Sequence, residues 1–174
     1  MIAITFEFHS TTAELRDELL SDTVVPDICH SLRGGVDIRV ARQELVSEDV
    51  YMLEFSNAFF SCLQHEVFFS TRSEEAIRVP YIEPRPDVVM QISGSIARLT
   101  SLKGGQAANS LDVDLSDLCH AVGGFHAKVL REVHSIAPTL FYDERFLRFI
   151  SIPPGLRAAL ISGIGLDDVG RPLR

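Results

Sequence analysis

The chain opens on a strict alternation. Ile2, Ile4, Phe6 and Phe8 fall on one side, and Ala3, Thr5, Glu7 and His9 on the other, the two-residue period of a half-buried strand. The period then changes. Thr11 is followed three residues later by Glu14, a capping box, and Leu15, Leu19 and Leu20 supply an apolar stripe. A first helix is therefore expected from about Thr12 to Ser21. Pro26 can open a second short helix, which Gly34 and Gly35 would end. In VDIRVARQEL, Val36, Ile38 and Val40 turn inward as a strand. VSED is expected to turn the chain, with VYMLEFS as the hairpin partner. NAFFSCLQHEVFF places Phe59, Leu63 and Val67 at helical spacing, with Asn57 as the expected N-cap.

The second half is punctuated by proline and glycine. EAIRVPYIEPRP carries three prolines and suits an edge strand followed by an extended loop. DVVMQISGSIARLTSL suits one or two strands with a bend at Gly94, and KGGQAANS suits a loop. The longest helical stretch lies in LDVDLSDLCHAVGGFHAKVLREVHSIAP. Leu118, Val122, Phe125, Val129 and Val133 share its stripe, Asp114 caps it, and Pro138 stops it. Two short amphipathic helices separated by Pro153-Pro154 should follow, then a mobile tail over about 166–174. The order implies one α+β domain over 1–174. It has a mostly antiparallel sheet with an N-terminal strand and helix, one long helix in the C-terminal half, and short C-terminal helices.

Composition narrows the class. The 174 residues are 46% hydrophobic, enough for a substantial core. No apolar run approaches the roughly 18 to 20 residues of a transmembrane helix, and the first ten residues lack the basic and apolar regions of a secretory signal. Three cysteines make no disulfide framework. A cytoplasmic protein is expected. Its net charge of −8 is unevenly spread. Residues 1–54 hold 11 acids against 4 bases, a net of −7, and residues 55–174 hold 13 against 12, a net of −1. Such a field repels nucleic acid and anionic lipid and attracts basic proteins.

Candidate chemistry is sparse. DICHSLRGG (27–35) and DLCHAVGG (117–124) resemble one another and suggest a split Cys-His site. Metal ligands must converge to about 2.0 to 2.3 Å from one ion, whereas neighbours on a helix diverge by about 100°. Cys119 and His126 share a face but stand about 10 Å apart along the axis, and His120 and His134 about 21 Å apart. Both stretches therefore read as helical turns in which Cys29 and Cys119 pack inward and Gly-Gly ends or kinks the helix. Cys29 as a thiolate nucleophile would need a base and a third group that the chain does not show. Asp112 and Asp114 have the spacing of a carboxylate pair for a metal, yet Asp114 serves more simply as the helix cap. His65-Glu66 lacks the partners of a zincin or zinc deaminase. GGQ (104–106) resembles the catalytic loop of peptide-chain release factors, but over three residues and without their basic tail, so a Gly-Gly turn between strands is expected. No metal, cofactor or catalytic residue is expected.

The acids form two groups: Glu14, Asp17, Glu18 and Asp22 on the first helix, and Glu44, Glu48, Asp49 and Glu54 across the hairpin. The second group spans eleven residues with no base among them. In size, acidity and lack of a catalytic signature the chain resembles the immunity proteins of bacterial contact-dependent growth inhibition and related polymorphic toxin systems. No motif carries that resemblance and no family residue transfers with it. It implies a cytoplasmic antitoxin-like protein that neutralises a cognate basic toxin, often a nuclease, by tight binding through these eight acids, with no direct contact to nucleic acid or membrane. The alternative is a small enzyme or ligand-binding domain with a dispersed site.

Overall fold

The structure, a computed structural model, describes residues 2–11, 13–15, 32–69, 77–78, 88–103 and 106–152. It is α+β, and all strand pairs are antiparallel. One sheet has the order β1 (Ile2–Phe8), β2 (Arg33–Val40), β3 (Gln43–Tyr51). Helix α1 (Met52–Phe69) follows directly. The second sheet has the order β4 (Ile77–Arg78), β5 (Val88–Ser93), β6 (Ile96–Lys103), β7 (Gln106–Asp114). Helix α2 (Leu115–Ile136), a 3-10 turn (Pro138–Tyr142) and α3 (Glu144–Phe149) complete the described chain.

β1 alternates as its sequence requires, with Ile2, Ile4, Phe6 and Phe8 packed against the core and Ala3, Thr5 and Glu7 exposed. The capping box is formed. The Thr11 N–H and hydroxyl donate to the Glu14 carboxylate at 2.7 and 2.8 Å, and residues 13–15 are helical. The remainder of that helix, with Asp17, Glu18 and Asp22, lies outside the described residues. So do the Pro26 helix, Cys29-His30, the helix after Pro153-Pro154 and the tail from 166.

Several expectations are corrected. The hairpin turns at Ala41-Arg42, where Ala41 adopts a φ of 54°, and not at VSED. Two-residue hairpin turns demand such left-handed backbone. VSED belongs to β3, and the register slips there. Val36 faces Ser47 while Gly34 faces Val50, so Glu48 and Asp49 stand opposite the single residue Gly35. MLEFS is the first turn of α1, and Asn57 sits inside that helix instead of capping it. The helical face runs back through Met52, Leu53, Phe55 and Ser56, all buried. Gly34 and Gly35 end no helix but lie in β2. A Cβ on Gly34 would collide with the Glu7 carbonyl and stand 2.6 Å from Met52 Cε, so only glycine lets β1, β2 and α1 approach so closely. The expected loop after Lys103 is largely strand, because Gln106 already pairs with Lys103.

Gly94 bends the β5–β6 hairpin at a φ of 62°, and Asp114 caps α2 by accepting from the amides of Ser116 and Asp117. Residues 111–114, expected within the long helical stretch, are strand. Gly123 and Gly124 neither end nor break α2. Helix α2 is anchored on both sides of them by buried Leu118, Val122, Phe125 and Val129, and tertiary packing overrides the local propensity.

β3 lies against β7, joining the two sheets, and the paired helices cover their inner face. α1 packs on β2 and β3, and α2 on β1, β6 and β7. Aromatic edges lock the layers: Phe125 meets Phe6 at 5.6 Å and Phe55 at 6.3 Å between ring centroids.

Candidate functional site

The outer face of the first sheet carries Glu7, Asp37 and Glu44, of which Glu7 and Glu44 are exposed and Asp37 is half-buried. Glu7 on β1 pairs with Gly35 on β2, and Gly35 stands opposite the Glu48-Asp49 bulge of β3. One step along the sheet, Asp37 and Glu44 flank Arg39. The Arg39 guanidinium donates to Glu44 from Nε at 3.0 Å and from Nη2 at 2.7 Å, and it also pairs with Asp37. Burial pushes the Asp37 carboxyl up and the neighbouring Glu44 carboxylate adds to the shift, while Arg39 opposes both. The Arg39 hydrogen bond holds Glu44 below its ordinary value.

The structure separates the two proposed acid groups by role. Glu14 is occupied by its capping box, and the Thr11 backbone amide and hydroxyl lower its carboxyl. Glu54 sits half-buried in the first turn of α1, where the helix dipole favours a negative charge. Glu44 is exposed but ion-paired. Of the eight expected partner-binding residues, Glu44, Glu48 and Asp49 lie on this sheet, and Glu7 and Asp37 join them. Neither addition stood out in the chain, because an acid alternating with apolar residues in a strand looks like ordinary solvent-facing patterning.

A second feature is a groove of about 510 Å³ between the outer edge of β1 and α2. Ile2 to Thr5 form one wall. Asp117, His120, Ala121, Gly124, Phe125 and Lys128 form the other. His120 turns Nδ1 to the Ser116 carbonyl at 2.8 Å, so that nitrogen donates.

The third is a polar clasp built around a buried histidine. His126 is fully buried and stacks on Phe60 at 4.9 Å. Its Nε2 lies 2.6 Å from the Ser151 carbonyl, which can only accept, so Nε2 carries the proton. Nδ1 is then the acceptor for the Ser56 hydroxyl at 3.1 Å. Burial pulls His126 down to about 4, against a smaller upward pull from the Ser151 hydrogen bond. Asn57 completes the clasp. It accepts from the Ser151 N–H at 2.7 Å and donates to the Phe149 carbonyl at 3.3 Å, while the Ser61 and Ser151 hydroxyls meet at 2.8 Å. A serine beside a bare imidazole nitrogen is the pairing used for nucleophile activation, but Ser56 and His126 both have zero solvent exposure. What the clasp does is fasten residues 149–151 to the helix pair.

The other candidate groups have structural partners. Asp112 pairs with Arg98 at 2.7 Å across β6 and β7. Cys119 is half-buried, and burial, with the Asp114 charge behind it, pushes its thiol up, the reverse of an activated thiolate. Among the described residues no three His, Cys, Asp or Glu side chains converge as a metal set would, and no helix is long and apolar enough to cross a membrane. Scans against protein-family models, curated proteins and solved structures return no match to this chain.

Proposed function

We propose that this chain is a binding protein that captures a basic protein partner on the outer face of its first sheet, and that it acts as a cytoplasmic immunity protein against a toxin, with a nuclease the best-fitting class. One observation carries the proposal. Glu7, Asp37, Glu44 and the Glu48-Asp49 bulge occupy adjoining positions of one three-stranded sheet. A partner that meets charges held on a sheet orders less backbone on binding than one that meets loops. Like charges gathered on one surface repel one another, whereas an oppositely charged partner turns the same field into faster encounter.

The test begins with the gene directly upstream of this chain's own, where the proposal expects a toxin domain. Co-expression should protect cells from that domain, and the two purified proteins should associate at a rate that falls with salt. Charge reversal of Glu48 and Asp49 together should slow association by about tenfold at low salt and flatten its salt dependence. Reversal of Asp167 and Asp168 should do little. The proposal fails if the tail pair controls association while the sheet pair does not, or if the cognate ligand is a small molecule.

A further inference from the structure

We propose that residues 149–152 are a strap that opens locally from the cleft between α1 and α2, and that protonation of His126 drives the opening. The juxtaposition behind this is a stretch of backbone held by side-chain hydrogen bonds, lying against a buried imidazole with no charge beside it.

The hold on the strap comes first. Helix α3 ends at Phe149, and the Ile150 N–H closes it on the Phe146 carbonyl at 3.0 Å. Ser151 and Ile152 are neither helix nor strand, and no backbone hydrogen bond joins either to another described residue. Side chains of the helix pair take that place. Ser151 N–H reaches the Asn57 side-chain carbonyl, Ser151 C=O accepts from His126 Nε2, and the Ser151 hydroxyl meets Ser61. The Asn57 amide nitrogen donates to the Phe149 carbonyl. Of the four strap side chains only Ile150 is buried. Phe149 is exposed, and Ser151 and Ile152 are half-buried. Backbone with few buried apolar contacts and no ladder opens at low cost. Helix α2, buried at Leu118, Val122, Phe125, Val129 and Val133, opens only with the whole fold.

His126 supplies the drive. Its Nε2 edge meets Ser151 of the strap, its Nδ1 meets Ser56 of α1, and its ring stacks on Phe60 of α1. One turn away on α2 stand Val122, Gly123, Val129 and Leu130. None of these groups titrates or carries a charge. The nearest charges along the two helices, Glu54 and Lys128, are two residues from Ser56 and His126 and so about 200° round their helices, and Arg148 before the strap is exposed. Among the described residues nothing therefore offsets an imidazolium in the closed form, and burial disfavours it. Burial pulls His126 down to about 4, with the Ser151 hydrogen bond as the opposing cause and no charge among the causes. Lifting the strap uncovers the Nε2 edge to water and returns the ring towards its ordinary 6.5. The open form then binds the proton first. Closure is fully favoured above about 6.5 and loses ground as pH falls towards 4.

Amide hydrogen exchange of the full chain, read by NMR at pH 7.5 and 5.0 and corrected for the pH dependence of intrinsic exchange, tests this without reference to any toxin. At both pH values the Ser151 amide should be less protected than those of Val129 and Leu130 in α2. Its protection should fall by about 30-fold between the two. Small additions of urea should leave Ser151 exchange nearly unchanged and speed exchange in α2, because a local opening exposes little surface and global unfolding exposes much. In His126→Gln the Ser151 protection should lose its pH dependence. If that variant does not fold, the pH and urea arms of the wild type stand alone. Exchange at Ser151 that matches Val129 and Leu130 in protection and in urea dependence overturns the strap. Ser151 protection that does not change with pH, or a pH dependence that survives in folded His126→Gln, overturns the part played by His126.

Discussion

Polar groups are held in opposite ways in two parts of this molecule. In the clasp around His126, uncharged groups from α1, α2 and residues 149–151 satisfy one another, with His126 and Ser56 fully buried and Asn57 and Ser151 half-buried. On the outer face of the first sheet, Arg39 and Glu44 stand in solvent beside a half-buried Asp37, so that Arg39 is bracketed by two acids. Low dielectric makes each interior hydrogen bond consequential, because a lost partner leaves a buried group unpaired. High dielectric makes each exterior ion pair nearly neutral for folding, which leaves those charges available to a partner. Stability should therefore respond to the clasp, and association to the sheet.

Acid should affect the clasp most. The folded state holds His126 at about 4, against an ordinary value of 6.5. As pH falls through this window the unfolded chain takes up the proton first, so stability is full above about 6.5 and is lost towards 4. The loss is about 3 kcal/mol. Protonation does not scramble the hydrogen bonds, since Nδ1–H would donate to Ser56 Oγ while the Ser56 hydroxyl donates to the Leu53 carbonyl 3.1 Å away. The cost is that of burying a charge. Glu14, Glu44, Asp112 and Asp143 all have carboxyls held below their ordinary values, so their own losses come at lower pH. Urea denaturation between pH 7.5 and 4.5 should show the slope in the wild type and lose most of it in His126→Gln. An unchanged slope in that variant would assign the effect elsewhere.

How much of this the chain discloses depends on whether the signal is local. The alternation of β1, the Thr11–Glu14 box, the Gly94 bend, the Asp114 cap and the stop at Pro138 each need only a few adjacent residues, and each is legible. Where the outcome depends on distant partners, local rules mislead. Gly123-Gly124 reads as a helix end, yet the surrounding turns are pinned by the core. Gly34 reads as a C-cap, yet Glu7 and Met52 press on it from 27 residues before and 18 after. The clasp joins residues separated by 70 and 94 positions and is invisible to spacing. One clue was present: His126 follows Val122 by four and precedes Val129 by three, so it lies on the apolar stripe where a histidine must find partners. The β1–α2 groove left no local mark.

A smaller effect is expected at the clasp's other anchor. Asn57→Ala removes the acceptor of the Ser151 amide and the donor to the Phe149 carbonyl. It should cost about 1 to 2 kcal/mol and speed hydrogen exchange at the Ser151 amide at pH 7. The acid slope should survive, because His126 keeps its own partners. If the slope vanishes as well, the two anchors work as one cooperative unit, and the clasp must be treated as a single interaction.

The smallest effect on folding, and the sharpest test of the contrast, belongs to Arg39→Gln. Arg39 looks like the keystone of the outer face, since it touches both Asp37 and Glu44. Its side chain is nonetheless largely in solvent, and a pair of that kind is screened by salt and offset by the ordering of two side chains. The urea midpoint at neutral pH should hardly move. The titrations should move. Without the guanidinium, the Asp37 carboxyl, already pushed up by burial and by Glu44, should rise further, and Glu44 should lose the hydrogen bond that holds it down. Carboxyl NMR titration would read both. At pH 7.5 and low salt the face is then more negative by one charge, so association with a basic partner should be faster, and the gain should disappear as salt rises. Should the same substitution destabilise the fold as strongly as loss of His126, the outer face would be a structural network in its own right, and the separation between a clasp that holds the fold and a sheet that meets a partner would not stand.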